Sequence, residues 1–232
     1  MLKELLKSHG IALENEQIQQ LKKYQEMVLE TNEYMNLTSI TEEEEFHLKH
    51  FLDSLWPEKY VNFSDEKIID IGTGAGFPAI PLKIHHPQLE MVLLDSLKKR
   101  LGFIDGVIEE LSLDKIKTIH GRAEEVSRQK DYREQFDIAI SRAVARLNTL
   151  VEWSLPFVKI GGVFIAMKGS DGLEELKEAE KGIEILGGRV KGIKEYQLEE
   201  NDHQRTMIII EKVKSCPKKY PRGGGKPVKK PL

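Results

Sequence analysis

The sequence predicts an α/β protein: a seven-stranded sheet of five parallel strands plus a C-terminal antiparallel hairpin, with a helical extension at the N-terminus. Three observations carry this. From residue 67, short apolar runs alternate with stretches of helical periodicity, the pattern of a parallel sheet with right-handed crossovers. Near the end, two strand-like runs are separated only by a polar loop, which fits a hairpin. Residues 1–60 read as helical throughout.

The extension opens with Leu2, Leu5 and Leu6 on one face, ended by Gly10. Ile18, Leu21, Tyr24 and Val28 continue at helical spacing. Thr41 and Glu44 form a capping-box pattern ahead of Phe46, Phe51, Leu52 and Leu55, and Pro57 stops that helix. The expected strands are Lys67–Ile71, Glu90–Asp95, Lys115–His120, Phe136–Ser141 and Gly162–Lys168. Helical patterns cover Lys98–Leu111, Leu147–Phe157 and Leu173–Leu186. The hairpin runs are "GGRVKGIKEYQL" and "RTMIIIEKV", joined by Glu199–Gln204. The end, "CPKKYPRGGGKPVKKPL", is rich in Pro, Gly and Lys and is expected to lack regular structure. This gives an extension at 1–62, a ligand-binding α/β domain at 63–213 and a basic tail at 214–232.

Composition narrows the classes. No apolar stretch reaches the ~20 residues that span a bilayer, and "MLKELLKSHG" lacks the apolar core of a signal peptide. A single cysteine, Cys216, has no internal partner, so a reducing, cytoplasmic setting is expected. The net charge of −3 hides an asymmetry. Residues 212–232 hold eight Lys/Arg and no acid, leaving 27 basic against 38 acidic residues in the remainder. A negative body with a basic tail suits contact with a polyanion, or else a free solubilising tail.

The first strand stops at "DIGTGAG", Asp70 to Gly76. Open parallel sheets bind ligands at the carboxyl ends of their strands, and glycine there admits close approach and positive φ. The dinucleotide fingerprint G-x-G-x-x-G is matched by Gly72 and Gly74 but broken by Phe77. No basic residue accompanies the turn, and no Gly-Lys-Ser/Thr follows, so a P-loop is excluded. The turn suits an uncharged or zwitterionic group. Asp70 either receives an ammonium there or stabilises the turn.

The other strand ends add candidates. Asp95 closes "MVLLD", where a carboxylate accepts both hydroxyls of an adenosine ribose or caps the helix that follows Ser96. After the third strand, Ala123 and Glu124 in "GRAEE" either border an adenine ring or start a helix. After the fourth, "SRAVA" puts Arg142 on the same rim, to grip an anionic group or pair with a nearby acid.

At this point the chain resembles the class I S-adenosylmethionine-dependent methyltransferases, with their Rossmann-like sheet. More narrowly, it is similar to the bacterial RsmG/GidB family of ribosomal RNA methyltransferases. The likeness rests on "NLTSI" (36–40), "HFLDSL" (50–55), "DIGTGAGFPAIPL" (70–82), "LLDSLKKR" (93–100), "GRAEE" (121–125), "SRAVA" (141–145), "MKG" (167–169) and "KKYPR" (218–222). It implies methyl transfer from S-adenosylmethionine to N7 of a guanine in 16S ribosomal RNA. It also implies cofactor contacts at Gly72 and Phe77, at Asp95, Ser96 and Leu97, at Ala123 and Glu124, and at Arg142. The glycine run after Arg222 departs from the family's usual tail.

Guanine N7 carries a lone pair and no proton, so alignment rather than a general base is the expected route, and no catalytic acid or base is assigned. His85-His86 is not a zinc spacing, and no metal is expected. The expected partner is 16S ribosomal RNA or the small ribosomal subunit, through Lys98, Lys99, Arg100, Arg142, Arg146, Lys168 and the tail, with Tyr220 as a stacking surface. His50 and Asp53, with Asn36, line the target-base pocket if the resemblance holds, or serve helix packing. Nothing in the apolar pattern demands a dimer, so a monomer is expected. Methylation of a small molecule or protein, an NAD-dependent oxidoreductase and a non-catalytic RNA-binding protein are the competing classes.

Overall fold

The computed structural model describes residues 1–200 and 202–232. Seven strands form one sheet in the order β3-β2-β1-β4-β5-β7-β6. They are β1 Lys67–Ile71, β2 Glu90–Asp95, β3 Ile116–His120, β4 Phe136–Arg142, β5 Val158–Lys168, β6 Gly188–Tyr196 and β7 Arg205–Lys212. β1 to β5 are parallel, and β7 runs antiparallel between β5 and β6. The order reverses between β1 and β4, which makes the carboxyl end of β1 the switch point of the sheet. The hairpin follows the expected runs; position 201 of its connecting loop lies outside the described residues. Among the described residues, no helix is long and apolar enough to cross a membrane.

The extension contains α1 (Leu2–Ser8), α2 (Asn15–Met35) and a third rod, α3. This rod runs through an α-turn Glu43–Phe46, a π-helical segment His47–Leu52 and a last turn Asp53–Leu55. Thr41 does not cap it. The helix starts at Glu43 with Glu42 at the cap position, and Glu43 to Glu45 set negative charge against the positive end of the helix dipole. Pro57 sits in a 3-10 turn, Trp56–Lys59, that follows the rod.

Strand alternation divides the core in two. Ile68, Leu93, Ile140 and Ile165 face α1 to α3 and two crossover helices, α4 (Ala79–His85) and α5 (Lys98–Glu110). Ile69, Val92, Ala139 and Phe164 face the other way, toward α7 (Leu147–Ser154) and α8 (Gly172–Ile185). A short α6 (Ala123–Val126) follows β3. The extension is bound to the sheet domain by polar contacts as well. Gln17 Nε2 donates to the carbonyls of Ile84 and His85 at the open end of α4. His85 and His86 both hydrogen-bond the same oxygen of Glu58, at 2.7 and 3.2 Å.

The basic tail departs from expectation. It contains one helical turn, α9 (Lys226–Lys229), and it packs on the body. Arg222 forks onto both oxygens of Glu152, a carboxylate with no solvent exposure on α7. Arg133 donates to the carbonyls of Tyr220 and Cys216. Lys212 belongs to the core: its Nζ bonds the Leu155 carbonyl at 2.6 Å and pairs with Glu134. Tyr220 is buried and is not a free stacking surface. The physical reason is Glu152: a buried carboxylate is costly unless paired, and the tail supplies its partner.

Candidate functional site

The glycine turn carries three glycines with positive φ, and each has its own reason. A Cβ on Gly72 would stand 2.7 Å from Val144 Cγ2, so the chain after β4 closes against it. A Cβ on Gly74 would meet only the Gly72 carbonyl, at 4.0 Å, so the space over this residue is open. A Cβ on Gly76 would collide with Ile80 and with Tyr24 Oη at 2.9 Å. Gly76 therefore serves the docking of α2, where Tyr24 Oη donates to the Ala75 carbonyl at 2.7 Å. Asp70 is fully buried beneath the turn and accepts the Thr73 hydroxyl at 2.7 Å. It stabilises the turn and does not line the cleft beside it. Burial pushes its carboxyl up to about 7.

Beside the turn lies a cleft of about 370 Å³. Asp95 stands at its base, 5% exposed. One oxygen accepts the Gly74 N–H at 3.0 Å and the other accepts the Leu97 N–H at 2.8 Å. Each oxygen keeps a lone pair for a further donor, which two vicinal hydroxyls of a ribose supply. Glu124, also 5% exposed, has no hydrogen bond among the described residues, and Arg122 Nη1 stands 3.9 Å from it. It is an acceptor ready for an amino group. Leu97, Ala123 and Val144 give apolar walls for a flat ring. The acceptor set thus fits S-adenosylmethionine: a carboxylate for the ribose hydroxyls, a second for the adenine amino group, and an open glycine backbone beyond.

Of the residues expected to hold the cofactor, Gly72, Asp95, Ser96, Leu97, Ala123 and Glu124 line this cleft. The side chains of Phe77 and Arg142 lie elsewhere, packed against the extension. The Phe77 ring stacks on His50 at 4.3 Å between centroids and 8° between planes. Arg142 Nη1 donates to Asp53 Oδ2 at 2.9 Å and to the Lys49 carbonyl at 3.0 Å. Its guanidinium sits 5.2 Å from the Phe77 ring centroid. Asp53 Oδ1 meets Tyr196 Oη at 3.1 Å and Arg205 Nε at 3.3 Å. Arg142 Nη2 donates to His50 Nδ1 at 3.2 Å, which places the imidazole proton on Nε2, facing Thr38 Oγ1 at 2.8 Å. Burial, then the Arg142 charge, lowers His50 to about 3, so the ring is neutral.

A second cavity, of about 220 Å³, opens between Asp53, Arg142, Lys168, Glu175 and Arg205. It shares Ala143, at φ +55, with the first. Lys168 Nζ is held by the Ala145 carbonyl at 2.7 Å and by Glu175 at 2.8 Å, so it is not free for phosphate. Arg146 is exposed and already paired with Glu178. Asn36, an exposed residue at the end of α2, does not line this cavity. Lys98 and Lys99 remain exposed beside the first cleft. Sequence reasoning missed Arg122 and Val144, which stand inside quoted motifs. It also missed Trp153, Gly225 and Val228, which no local pattern marks.

Comparisons with known proteins bear on the family and the fold. The family model described as rRNA small subunit methyltransferase G (GidB) matches residues 17–207. Ribosomal RNA small subunit methyltransferase G of Alkaliphilus metalliredigens is 48% identical, covering 100% of this chain and 98% of its own length. That of Lachnoclostridium phytofermentans is 50% identical, covering 98% and 94%. Among solved structures, an O-methyltransferase from Bacillus cereus superposes with a TM-score of 0.59 at 17% identity, covering 82% of this chain and 91% of that one. The putative transferase PH0793 from Pyrococcus horikoshii gives 0.57 at 11% identity, covering 71% and 63%. These structures share the sheet architecture. The family match and the near-half identity over the whole length make the chain a member of the rRNA small subunit methyltransferase G (GidB) family.

Proposed function

We propose that this chain transfers a methyl group from S-adenosylmethionine to N7 of a guanine in 16S ribosomal RNA. The observation that carries the reading is the pair of cavities meeting at Ala143 on the switch-point rim. One has the acceptors and apolar walls for an adenosine; the other mixes cations and carboxylates, suited to a polar base.

When bound, the cofactor supplies an electrophilic methyl on a sulfonium; the C–S bond breaks with its electrons left on sulfur as the N7–C bond forms. The chain's own residues do the placing. Asp95 holds the ribose hydroxyls, and Glu124 accepts the adenine amino group. Ser96, Leu97 and Ala123 flank the ring. Gly74 leaves the backbone open to the ligand, and Gly72 lets Val144 close the cleft wall against the turn. Arg142, fixed by Asp53 and set against the Phe77 ring, lines the second cavity. No residue has to move a proton, because N7 has none to lose. Alignment at about 3–3.5 Å and a suitable electrostatic surround supply the catalysis.

The RNA is engaged beside the rim by Lys98, Lys99 and the exposed lysines of the tail, whose phosphate contacts make affinity salt-dependent. The setting is the cytoplasm, and the protein works as a monomer on 16S ribosomal RNA or the small subunit. The test is incubation of unmethylated small subunits with labelled S-adenosylmethionine, followed by mapping of the label. N7-methylguanine in 16S RNA is the expected product. Label in protein or small molecules only would overturn the reading.

A further inference from the structure

The family model ends at residue 207, but the wall of the cofactor cleft does not: Gly225 and Val228 line it together with Trp153 of α7. We infer that the C-terminal segment 222–230 is part of the cofactor site, a strap that closes the adenosine cleft with Gly225 and Val228. Its role rests on the ligand assigned above.

The strap is pinned at both ends. Its first residue, Arg222, places Nε and Nη2 on the two oxygens of Glu152 at 2.9 and 2.6 Å, and its N–H on Oε1 at 2.6 Å. Glu152 has no solvent exposure and directly precedes Trp153, so the anchor sits beside the cleft wall. The same guanidinium donates to the Lys230 carbonyl at 2.9 Å, drawing the far end back onto the start. Thr149 Oγ1, also on α7, donates to the Pro227 carbonyl at 3.2 Å. Upstream, Arg128 and Arg133 hold the carbonyls of Pro221 and Tyr220.

Between these staples the chain must reverse. Gly224 and Gly225 do so at φ +67 and +68, a region costly for other residues. A Cβ at Gly225 would meet nothing within 4 Å. That open side adjoins the cleft. Pro227 is buried, which fixes the turn of α9 and leaves Val228 59% exposed at the cleft's edge. An adenosine in the cleft would cover that apolar side chain. Gly224 and Gly225 thus make the turn that brings Val228 to the wall.

The test compares the full chain with a chain ending at Pro221 and with Val228→Asp and Val228→Leu. S-adenosylmethionine and S-adenosylhomocysteine affinities are read by calorimetry, and melting temperature alongside. Removing the strap should weaken the cofactor about tenfold or more, and Val228→Asp several-fold, the order expected from losing one apolar wall. The effect should fall on KM for the cofactor rather than on kcat, and Val228→Leu should retain affinity. Removing Arg222 leaves Glu152 unpaired; if that chain does not fold, the surface change Val228→Asp decides. Cofactor affinity within twofold of the full chain in Val228→Asp and in any folded truncation overturns the inference. Failure of the unmodified chain to bind S-adenosylmethionine would instead defeat the functional reading.

Discussion

The cleft beside the glycine turn and the cluster around Asp53 share one rim and one residue, Ala143, yet they treat their polar groups in opposite ways. Asp95 spends one hydrogen bond on each oxygen and keeps capacity, and Glu124 has no hydrogen bond among the described residues. Asp53, equally buried, is saturated by Arg142, Tyr196 and Arg205. The cleft is assembled from residues that follow successive strands. The cluster gathers partners 89 and 143 positions apart. Asp95 and Glu124 keep acceptor capacity at the cleft, whereas Asp53 spends its own on holding the extension against the sheet.

The sharpest way to break this contrast is Asp53→Ala. It deprives the buried Arg142 of its carboxylate, while Arg205 keeps Asp202, and should cost about 3–5 kcal/mol of stability. Urea unfolding measures this, and a loss below about 1 kcal/mol would show that the cluster is not what holds the extension. Asp95→Ala should do the reverse. Stability falls modestly, while cofactor affinity drops by roughly two orders of magnitude, the value of charge-assisted bonds to two hydroxyls. Calorimetry with S-adenosylmethionine reads it; unchanged affinity removes Asp95 from the site.

Two buried groups carry the contrast into pH. His50, in the cluster, is lowered to about 3 by burial and then by Arg142. Its folded pKa lies below the unfolded value, so its contribution is full above pH 6.5 and is lost as pH falls from 6.5 toward 3. Asp70, under the glycine turn, is raised to about 7 by burial. The fold keeps it protonated, so stability is greatest below its ordinary value of 3.8 and declines as pH rises from there to 7. Between pH 4 and 6.5 the slopes oppose, each about 1.4 kcal/mol per unit. Asp70→Asn should expose a stability that rises with pH in this window, and His50→Gln one that falls. Parallel pH profiles in both variants would contradict the assignment.

The smallest expected effect lies outside both regions. Lys99→Glu should leave the melting temperature unchanged and weaken binding to the small subunit a few-fold. The slope of log affinity against log salt should fall by about one for each phosphate that is no longer neutralised. An unchanged slope would take α5 out of the RNA surface.

The strand ends were legible because their chemistry is local. Asp95 closes an apolar run, and its position at the end of β2 follows from the alternation of runs alone. The same holds for Ala123 and Glu124, which come just after β3, past Gly121 and Arg122. The third glycine was legible as a glycine but not as to its purpose. Its missing Cβ makes room for Tyr24, some fifty residues earlier. Phe77 and Arg142 sit in the expected motifs, yet their side chains turn to His50 and Asp53 and leave the cleft to neighbours.

The sequence by itself determined the element order, the glycine turn at "DIGTGAG" and the family likeness, because apolar period, glycine spacing and strand-end residues are properties of short stretches of chain. Only the tertiary structure decided which polar groups stay free for a ligand and which are used up, and that the basic tail forms a wall. Those outcomes depend on where a buried charge finds its partner: Glu152 draws in Arg222, and Asp53 draws in Arg142, across distances in sequence that no local pattern encodes.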